Sequence, residues 1–128
     1  MTTLITHGIK VSVDTLFEKD YSDSFAPKYV FTYYITIENT SEVAVQLMRR
    51  HWDIFDSMNK KYVVDGDGVI GEQPIIKPGE SHEYNSYCEL ATDMGQMNGY
   101  YVMRNLVSMQ EFKVQIPAFN LTAENRLN

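Results

Sequence analysis

Apolar and polar residues alternate along much of this chain with a period of two, which is the pattern of a half-buried β-strand. In the first such run Ile9, Val11 and Val13 are apolar, and the residues between them are polar or charged. A longer run extends from Phe31 to Ile37 with the same period. The pattern therefore predicts two strands that each bury one face.

The alternation changes phase in the segment that follows. Val45 and Leu47 are apolar at odd positions, whereas Trp52 and Ile54 are apolar at even positions. A regular pleat cannot bury both sets on one face. We therefore predict a bulge or bend within residues 48–51, which would carry the chain to the other face or to a second sheet.

Turn signals divide the rest of the chain into short segments. Residues 57–60 are typical of a hairpin turn, with Asn59 suited to positive φ. Pro78 and Gly79 form the central pair of a type II turn. Residues 92–99 have the composition of a loop. Further strands are predicted at residues 61–65, 83–89, 100–103 and 112–119.

About seven short strands predict an all-β fold, an immunoglobulin-like or fibronectin type III-like β-sandwich of two antiparallel sheets. A chain of 128 residues is long enough for one core and too short for two. We expect a single domain over residues 1–128, with its core at about residues 5–119 and a polar C-terminal tail at residues 120–128.

Composition excludes several classes of function. The chain has 11 Lys and Arg against 17 Asp and Glu, a net charge of -6, which disfavours binding to nucleic acid. No segment approaches the roughly 20 apolar residues that cross a bilayer, so membrane insertion is not expected. Cys88 is the only cysteine, which excludes an internal disulfide and favours a reducing, cytoplasmic location.

Residues 66–74 contain glycines at the spacing of a dinucleotide-binding fingerprint. That fingerprint requires a helix directly after it, and Pro74 and Pro78 prevent one. A nest of backbone N–H groups could bind phosphate without a helix. However, no Lys or Arg lies between Lys61 and Lys77, so basic groups would have to come from elsewhere in the fold. The candidate ligand-binding residues are Gly66, Gly68, Gly71 and Gln73.

The structural alternative for this loop is that its glycines satisfy backbone constraints at a sheet edge, and we favour it. A calcium site is a weaker alternative. Asp65 and Asp67 have the spacing of calcium ligands, but the next alternate position is Val69, which offers no side-chain oxygen. The three histidines lack metal-ligand spacing. We therefore predict no cofactor and no metal.

Cys88 and Ser86 are the candidate nucleophiles, and His82 or His51 could be brought beside them by the fold. The strand alternation points Cys88 inward beside Tyr84, which predicts an inert core thiol. We therefore expect no catalytic residue and no enzymatic activity. Trp52, the only tryptophan, is expected to fill the core.

A surface for a protein partner is predicted around Met94, Met97 and Tyr87. The two methionines lie in a glycine-bounded segment, and thioether and aromatic side chains adapt to varied partners. Exposed strand edges would also permit pairing with a second copy of the chain.

A dense series of short motifs resembles the ApaG family. They are Tyr29-Val30-Phe31-Thr32-Tyr33, Val45-Gln46-Leu47, Arg50-His51-Trp52-Asp53-Ile54, the run from Gly66 to Pro74, Pro78-Gly79, and Gly95-Gln96-Met97-Asn98-Gly99-Tyr100. The resemblance is strong over residues 29–103, and the flanking residues fit it more loosely.

The resemblance implies two packed β-sheets of the fibronectin type III or immunoglobulin kind. Bacterial members are often labelled cobalt and magnesium efflux proteins. Similar eukaryotic domains are fused to F-box and polymerase-interacting proteins, which suggests an interaction module. The glycine loop of the family has been regarded as a pyrophosphate site. This chain departs from the family pattern at Asn59, at Asp93 and at Tyr87, whose ring would partly close a groove beside its strand.

Three hypotheses of function follow, of which a hydrolase is the third. The first is a non-catalytic module that binds an unknown protein partner through a sheet edge and its loops, with the family's link to cobalt and magnesium tolerance. The second is a regulator that binds a phosphorylated nucleotide, pyrophosphate or a divalent cation at the loop from Gly66 to Gln73. We favour the first.

Overall fold

The computed structural model describes residues 1–23, 25–26, 28–58 and 60–123. Its strands, in chain order, are β1 Thr2–Thr6, β2 Ile9–Phe17, β3 Tyr29–Asn39, β4 Val45–Asp56, β5 Lys60–Asp67, β6 Ile75–Ile76, β7 Ser81–Leu90, β8 Met94–Asn105 and β9 Glu111–Thr122. A short 3₁₀ turn, Lys19–Tyr21, follows β2. No helix in this part of the chain is long and apolar enough to span a bilayer.

The strands form two sheets in which every pairing is antiparallel. The first sheet has the order β1-β2-β3-β7, and the second has the order β5-β4-β8-β9, with β6 also paired to β4. Buried side chains from both sheets pack into one hydrophobic cluster. The predicted all-β sandwich of two antiparallel sheets is therefore confirmed.

The predicted alternation holds in the strands of the first sheet. In β2 the apolar residues Ile9, Val11 and Val13 are buried, and in β3 the alternate residues from Phe31 to Ile37 are buried. The first strand, β1, was not predicted. It has no alternating pattern, and pairing with β2 holds it in place after a two-residue turn.

The predicted bulge lies in β4 at Met48. The pairing of β4 with β8 shifts its register between Leu47 and Arg49, which leaves Met48 as the extra residue. Leu47 is buried before the bulge, and Trp52 is buried after it. Because β4 pairs with β8 on both sides of the bulge, the chain changes face within one sheet and does not cross to the other.

The prediction of a loop at residues 92–99 is wrong, because β8 already begins at Met94. Gly95 and Gly99 lie inside this strand. A Cβ at Gly99 would be 2.0 Å from the carbonyl oxygen of His51 on the neighbouring strand. Glycine here permits close approach of two backbones rather than a turn.

The C-terminal boundary also needs correction. Residues 120–128 were expected to form a polar tail, but β9 extends to Thr122. Leu121 and Ala123 are fully buried. The sandwich therefore includes residues up to 123, whereas residues 124–128 lie outside the described part of the chain.

One predicted turn is confirmed and one cannot be compared. Gly79 has a φ of 82°, and the Glu80 N–H donates to the Lys77 carbonyl at 2.9 Å, as a type II turn centred on Pro78 and Gly79 requires. Asn59, in the turn between β4 and β5, lies outside the described residues.

Trp52 fills the core, as predicted. It is 2% exposed, and its ring meets those of Tyr33 and Phe119 at centroid distances of 5.3 and 5.9 Å. We expect Trp52→Ala to lower the free energy of unfolding by about 3–5 kcal/mol, measured by urea denaturation. Phe55→Ala is the control, because Phe55 lies on the outer face of the same strand and is 38% exposed. Equal losses in both variants would contradict this account.

Candidate functional site

The glycine-rich loop ends in a tight turn at Val69 to Glu72. The Val69 N–H donates to the Glu72 carbonyl at 2.8 Å, and the Glu72 N–H donates to the Val69 carbonyl at 3.0 Å. The central residues, Ile70 and Gly71, have φ values of 48° and 74°. Positive φ at both central positions of a two-residue connection identifies a type I′ turn. The loop closes on itself through its own backbone.

The residues that flank this turn are held by the bulge in β4. The Gly68 N–H and the Gln73 side-chain Nε2 both donate to the Met48 carbonyl, at 2.9 and 3.0 Å. Gly68 also has a φ of 58°, and a Cβ there would lie 1.9 Å from the Glu72 carbonyl oxygen. Gly68 thus meets a backbone constraint, and the Gln73 side chain holds the loop against β4.

Because the N–H groups of Gly68, Val69 and Glu72 donate within the fold, they do not form a free concave row that could bind phosphate. The geometry supports the structural alternative for this loop, in which its glycines meet backbone constraints.

Gly66 has a different role, because it makes room for an arginine. It pairs with Arg50 across the β4–β5 ladder, and a Cβ at Gly66 would lie 2.7 Å from Arg50 Nη1. Arg50 Nη1 donates to the carbonyls of Asp67 and Gly68, each at 3.0 Å. Arg50 is therefore the basic group that the fold brings to the loop. The sequence signal for its inward position is that Arg50, like Trp52, has an even number after the change of phase in β4.

Arg50 has no carboxylate partner within salt-bridge distance among the described residues. Its Nε and Nη2 groups also have no hydrogen-bond acceptor in that part of the chain. By contrast, Arg49 and Arg104 both pair with Glu111, at 2.8 and 3.2 Å. Arg50 therefore retains unused hydrogen-bond donors.

Arg50 lines a cleft of about 400 Å³ between the two sheets. The cleft lies where β5 ends one sheet and β7 ends the other. Trp52 lines it from β4, Tyr62 and Val64 line it from β5, and Tyr87 lines it from β7. On the opposite side of the sandwich β1 and β9 approach each other instead. The sandwich is thus closed at one side and open at the other.

A smaller recess of about 140 Å³ adjoins this cleft. Arg50 and Trp52 line both cavities, and the recess reaches the type I′ turn at Ile70 and Gly71. Arg50 therefore lies where the cleft and the recess meet.

Tyr33, Tyr84 and Ser86 line the recess together with Arg50. Tyr84 and Tyr101 share a hydrogen bond between their hydroxyls, and burial raises the pKa of both. Burial also raises the pKa of Tyr33, an effect opposed by its interaction with Ser86. The three phenols are therefore neutral at physiological pH, and the positive charge of Arg50 is not balanced by a phenolate.

Cys88 is a core thiol, as predicted. It is 7% exposed, and burial, together with the nearby carboxylates of Asp56 and Glu89, raises its pKa to about 11. A thiol with this pKa is protonated near neutral pH and is a poor nucleophile. The geometry gives no support to catalysis by Cys88.

The predicted partner surface is partly wrong. Met97 is 1% exposed and belongs to the core, because alternation within β8 points it inward. Met94 and Tyr87 are 38% and 71% exposed. Only these two residues of the predicted set remain available to a partner, and Tyr87 stands at the mouth of the cleft.

The outer face of β4 and β5 carries a charged cluster around His51. His51 Nδ1 lies 2.6 Å from Asp65 Oδ1, and Nε2 lies 3.2 Å from Asp53 Oδ2. Its ring stacks on Tyr100 at 4.8 Å. The hydrogen bond with Asp65 is the main cause that raises the pKa of His51. Across the described residues, no group of three or more His, Cys, Asp or Glu side chains is arranged to hold a metal ion.

Two antiparallel sheets, closed at one side and open over a cleft at the other, define a small all-β sandwich protein. A family model described as the ApaG domain matches residues 19–105. The chain belongs to the ApaG family. The resemblance predicted from the motifs of residues 29–103 is therefore confirmed.

The relatives cover nearly the whole chain. Protein ApaG of Thiobacillus denitrificans is 46% identical over 115 residues, which is 90% of each protein. Protein ApaG of Mesorhizobium japonicum is 43% identical over 117 residues, covering 91% of this chain and 89% of the relative. A crystal structure of a Bordetella pertussis protein given the name ApaA matches with a TM-score of 0.87 at 37% identity, covering 91% of this chain and 94% of that one.

Ile70 is an unfavourable residue at its position, because a β-branched side chain rarely adopts positive φ. Its side chain is 63% exposed, so its replacement removes little packing. We expect Ile70→Asn, which creates the Asn-Gly pair preferred in type I′ turns, to raise the free energy of unfolding by about 1 kcal/mol. The control is Ile75→Asn, an exposed position in β6 that has no positive φ. Urea denaturation that shows equal effects in both variants would contradict this interpretation.

The stability of the protein should depend on the charge of His51. Because the pKa of His51 is raised in the folded state, its stabilisation is present below the ordinary value of about 6.5 and is lost as pH rises through the folded-state pKa. Asp65→Asn weakens the hydrogen bond that is the main cause of the raised pKa of His51. We expect the free energy of unfolding to fall less between about pH 6 and about pH 9 in this variant than in the native protein. Asp20→Asn is the control, because Asp20 lies in the 3₁₀ turn after β2 and is not a hydrogen-bond partner of His51. An unchanged pH dependence in Asp65→Asn would contradict the assignment of the pH dependence to His51.

Proposed function

We propose that this protein is a non-catalytic binding module that takes up an extended segment of a protein partner along the free edge of β5. The observation that carries the proposal is the exposure of β5 on both faces. Tyr62 and Val64 point toward the space between the sheets, yet they are 42% and 38% exposed. Val63, on the outer face, is 53% exposed.

In a closed sandwich, inward-facing side chains of an edge strand are covered by the opposite sheet. Here the residues of β4 that pair with Tyr62 and Val64 are Ile54 and Trp52, which are 9% and 2% exposed. Burial therefore stops one strand short of the edge of the sheet. The uncovered inner face of β5 is a surface that an additional strand would complete.

The other sheet edges are better protected against pairing. The β7 edge carries the exposed charges of Glu83 and Glu89, and β1 and β9 lie close together. In β5 the charged residues lie toward the ends, and the centre, residues 62–64, is uncharged and apolar. Charge is a common protection of edge strands, and its absence in the centre of β5 favours β-strand addition there.

A second copy of the chain is the alternative occupant of this edge. In an antiparallel pair of β5 strands centred on Val63, Lys61 of each copy would lie opposite Asp65 of the other. We favour a separate partner because Tyr62, Val64 and the cleft behind them offer a second layer of contact that a flat β5–β5 pair does not fill. Sedimentation velocity distinguishes the two occupants.

The alternative of a nucleotide, pyrophosphate or cation at the glycine loop has less support. Three of the loop N–H groups donate within the fold, and the acidic residues Asp67 and Glu72 lie in the same segment. We propose that the family's association with cobalt and magnesium acts through the partner rather than through a metal bound by this chain. Calorimetric titration with cobalt, magnesium and nucleoside polyphosphates tests that part of the proposal.

We expect Val63→Lys to weaken partner binding by roughly tenfold or more, because it places a charge at the centre of the pairing edge. Binding is measured by fluorescence anisotropy with extended peptides selected from a random display library on the native protein. Amide hydrogen exchange then locates the bound peptide, and protection is expected at residues 60–67. Val107→Lys is the control, because Val107 is an exposed valine (76%, against 53% for Val63) that lies in the turn between β8 and β9 and not on a sheet edge.

Two results would contradict the proposal. One is equal binding of the selected peptides by native protein and Val63→Lys. The other is protection of other strands or loops on binding, with residues 60–67 unchanged.

A further inference from the structure

We infer that the partner segment carries an acidic side chain whose carboxylate enters the open cleft and pairs with Arg50. The inference rests on the proposed function, because β5 is both the pairing edge and one wall of the cleft. It adds a determinant of specificity to an edge that main-chain pairing alone would leave unselective.

The first support is the state of the guanidinium group. Arg50 Nη1 is held by the carbonyls of Asp67 and Gly68, each at 3.0 Å. The Nε and Nη2 groups, which form the opposite edge of the same plane, have no acceptor among the described residues. Two parallel N–H donors on one edge match the two oxygens of one carboxylate. The bonds to Nη1 fix the group in advance, which reduces the entropy lost on binding.

The second support is the charge around Arg50. The recess beside Arg50 is lined by hydroxyl and apolar groups, including Ser86, Tyr84 and Ile70, and no carboxylate lines it. Glu89 lines only the larger cleft. A carboxylate in the recess therefore meets Arg50 and neutral hydroxyl groups, whereas Asp65 and Asp67 line a separate cavity on the other side of Arg50. A phosphate group would bring a second negative charge for which no further Lys or Arg lines either cavity.

The third support is the path from the sheet edge to Arg50. A strand added to β5 would point alternate side chains into the cleft, in register with the inward positions Tyr62, Val64 and Gly66. Gly66 has no side chain, and Arg50 lies directly behind it. A long acidic side chain opposite Gly66 would thus cross an open position and reach the guanidinium.

This register predicts a recognition pattern. Side chains opposite Tyr62 and Val64 would contact apolar groups, whereas the side chain opposite Gly66 would contact Arg50. The partner is therefore expected to carry two apolar residues and one Glu or Asp at three successive alternate positions. The acidic residue lies at one end of this pattern.

A double-mutant cycle tests the pairing. The probe is a set of fluorescein-labelled peptides with valine at two alternate positions, threonine or lysine between them, and either glutamate or glutamine at the third alternate position, in both chain directions. We expect the glutamate peptide to bind the native protein about tenfold more tightly than its glutamine counterpart. We expect Arg50→Gln to bind the two peptides equally.

Further variants separate recognition from a general structural effect. Arg104→Gln, which removes an arginine on the outer face, should keep the preference for glutamate. Arg50→Lys should keep less than the full preference, because it retains the charge and loses the paired donors. Gly66→Ala should reduce the preference, since its Cβ would lie 2.7 Å from Arg50 Nη1. If Arg50→Gln proves unstable because the loop carbonyls lose their donor, Arg50→Lys and Gly66→Ala still test the inference.

The outcomes of the two proposals differ. Equal binding of the glutamate and glutamine peptides by the native protein, with binding still weakened by Val63→Lys, would overturn the role of Arg50 and leave the β5 proposal standing. A preference for glutamate that persists in Arg50→Gln would also overturn the inference. Failure of every peptide to bind would contradict both proposals.

Discussion

The extra residue Met48 in β4 is the constraint on which the rest of the structure depends. Without this bulge, regular alternation from Leu47 would turn Arg50 and Trp52 outward and remove the tryptophan from the core. The same bulge provides the carbonyl that accepts hydrogen bonds from Gly68 and Gln73. One backbone irregularity thus sets the core, anchors the glycine-rich loop and places an arginine at the inter-sheet cleft.

The features that could be predicted from sequence are those decided by neighbouring residues. The alternation in β2 and β3, the change of phase in β4 and the turn at Pro78 and Gly79 depend on local pattern, and all were predicted correctly. The features missed depend on residues far apart in the chain. Gly99 resembled a loop residue because the backbone that approaches it belongs to another strand. Likewise, the pairing of Arg50 with Gly66 could not be read from either segment alone.

The segment from the end of β5 to β6 shows how a familiar spacing of glycines can arise from unrelated requirements. Gly66 leaves space for a guanidinium group, Gly68 permits close approach to the Glu72 carbonyl, and Gly71 occupies a position of positive φ in a tight turn. Each reason explains why one of the three positions is glycine, and none of them involves phosphate. The basic group that the fold brings to this loop, Arg50, lies behind it, in a segment where residue spacing offered no motif to recognise.

The closed side of the sandwich has a consequence for how the two sheets can be extended. The first and last strands, β1 and β9, lie together at that side, whereas β5 and β7 border the cleft on the opposite side. A further strand paired to β5 would therefore widen the open side of the sandwich and leave the contact between β1 and β9 unchanged.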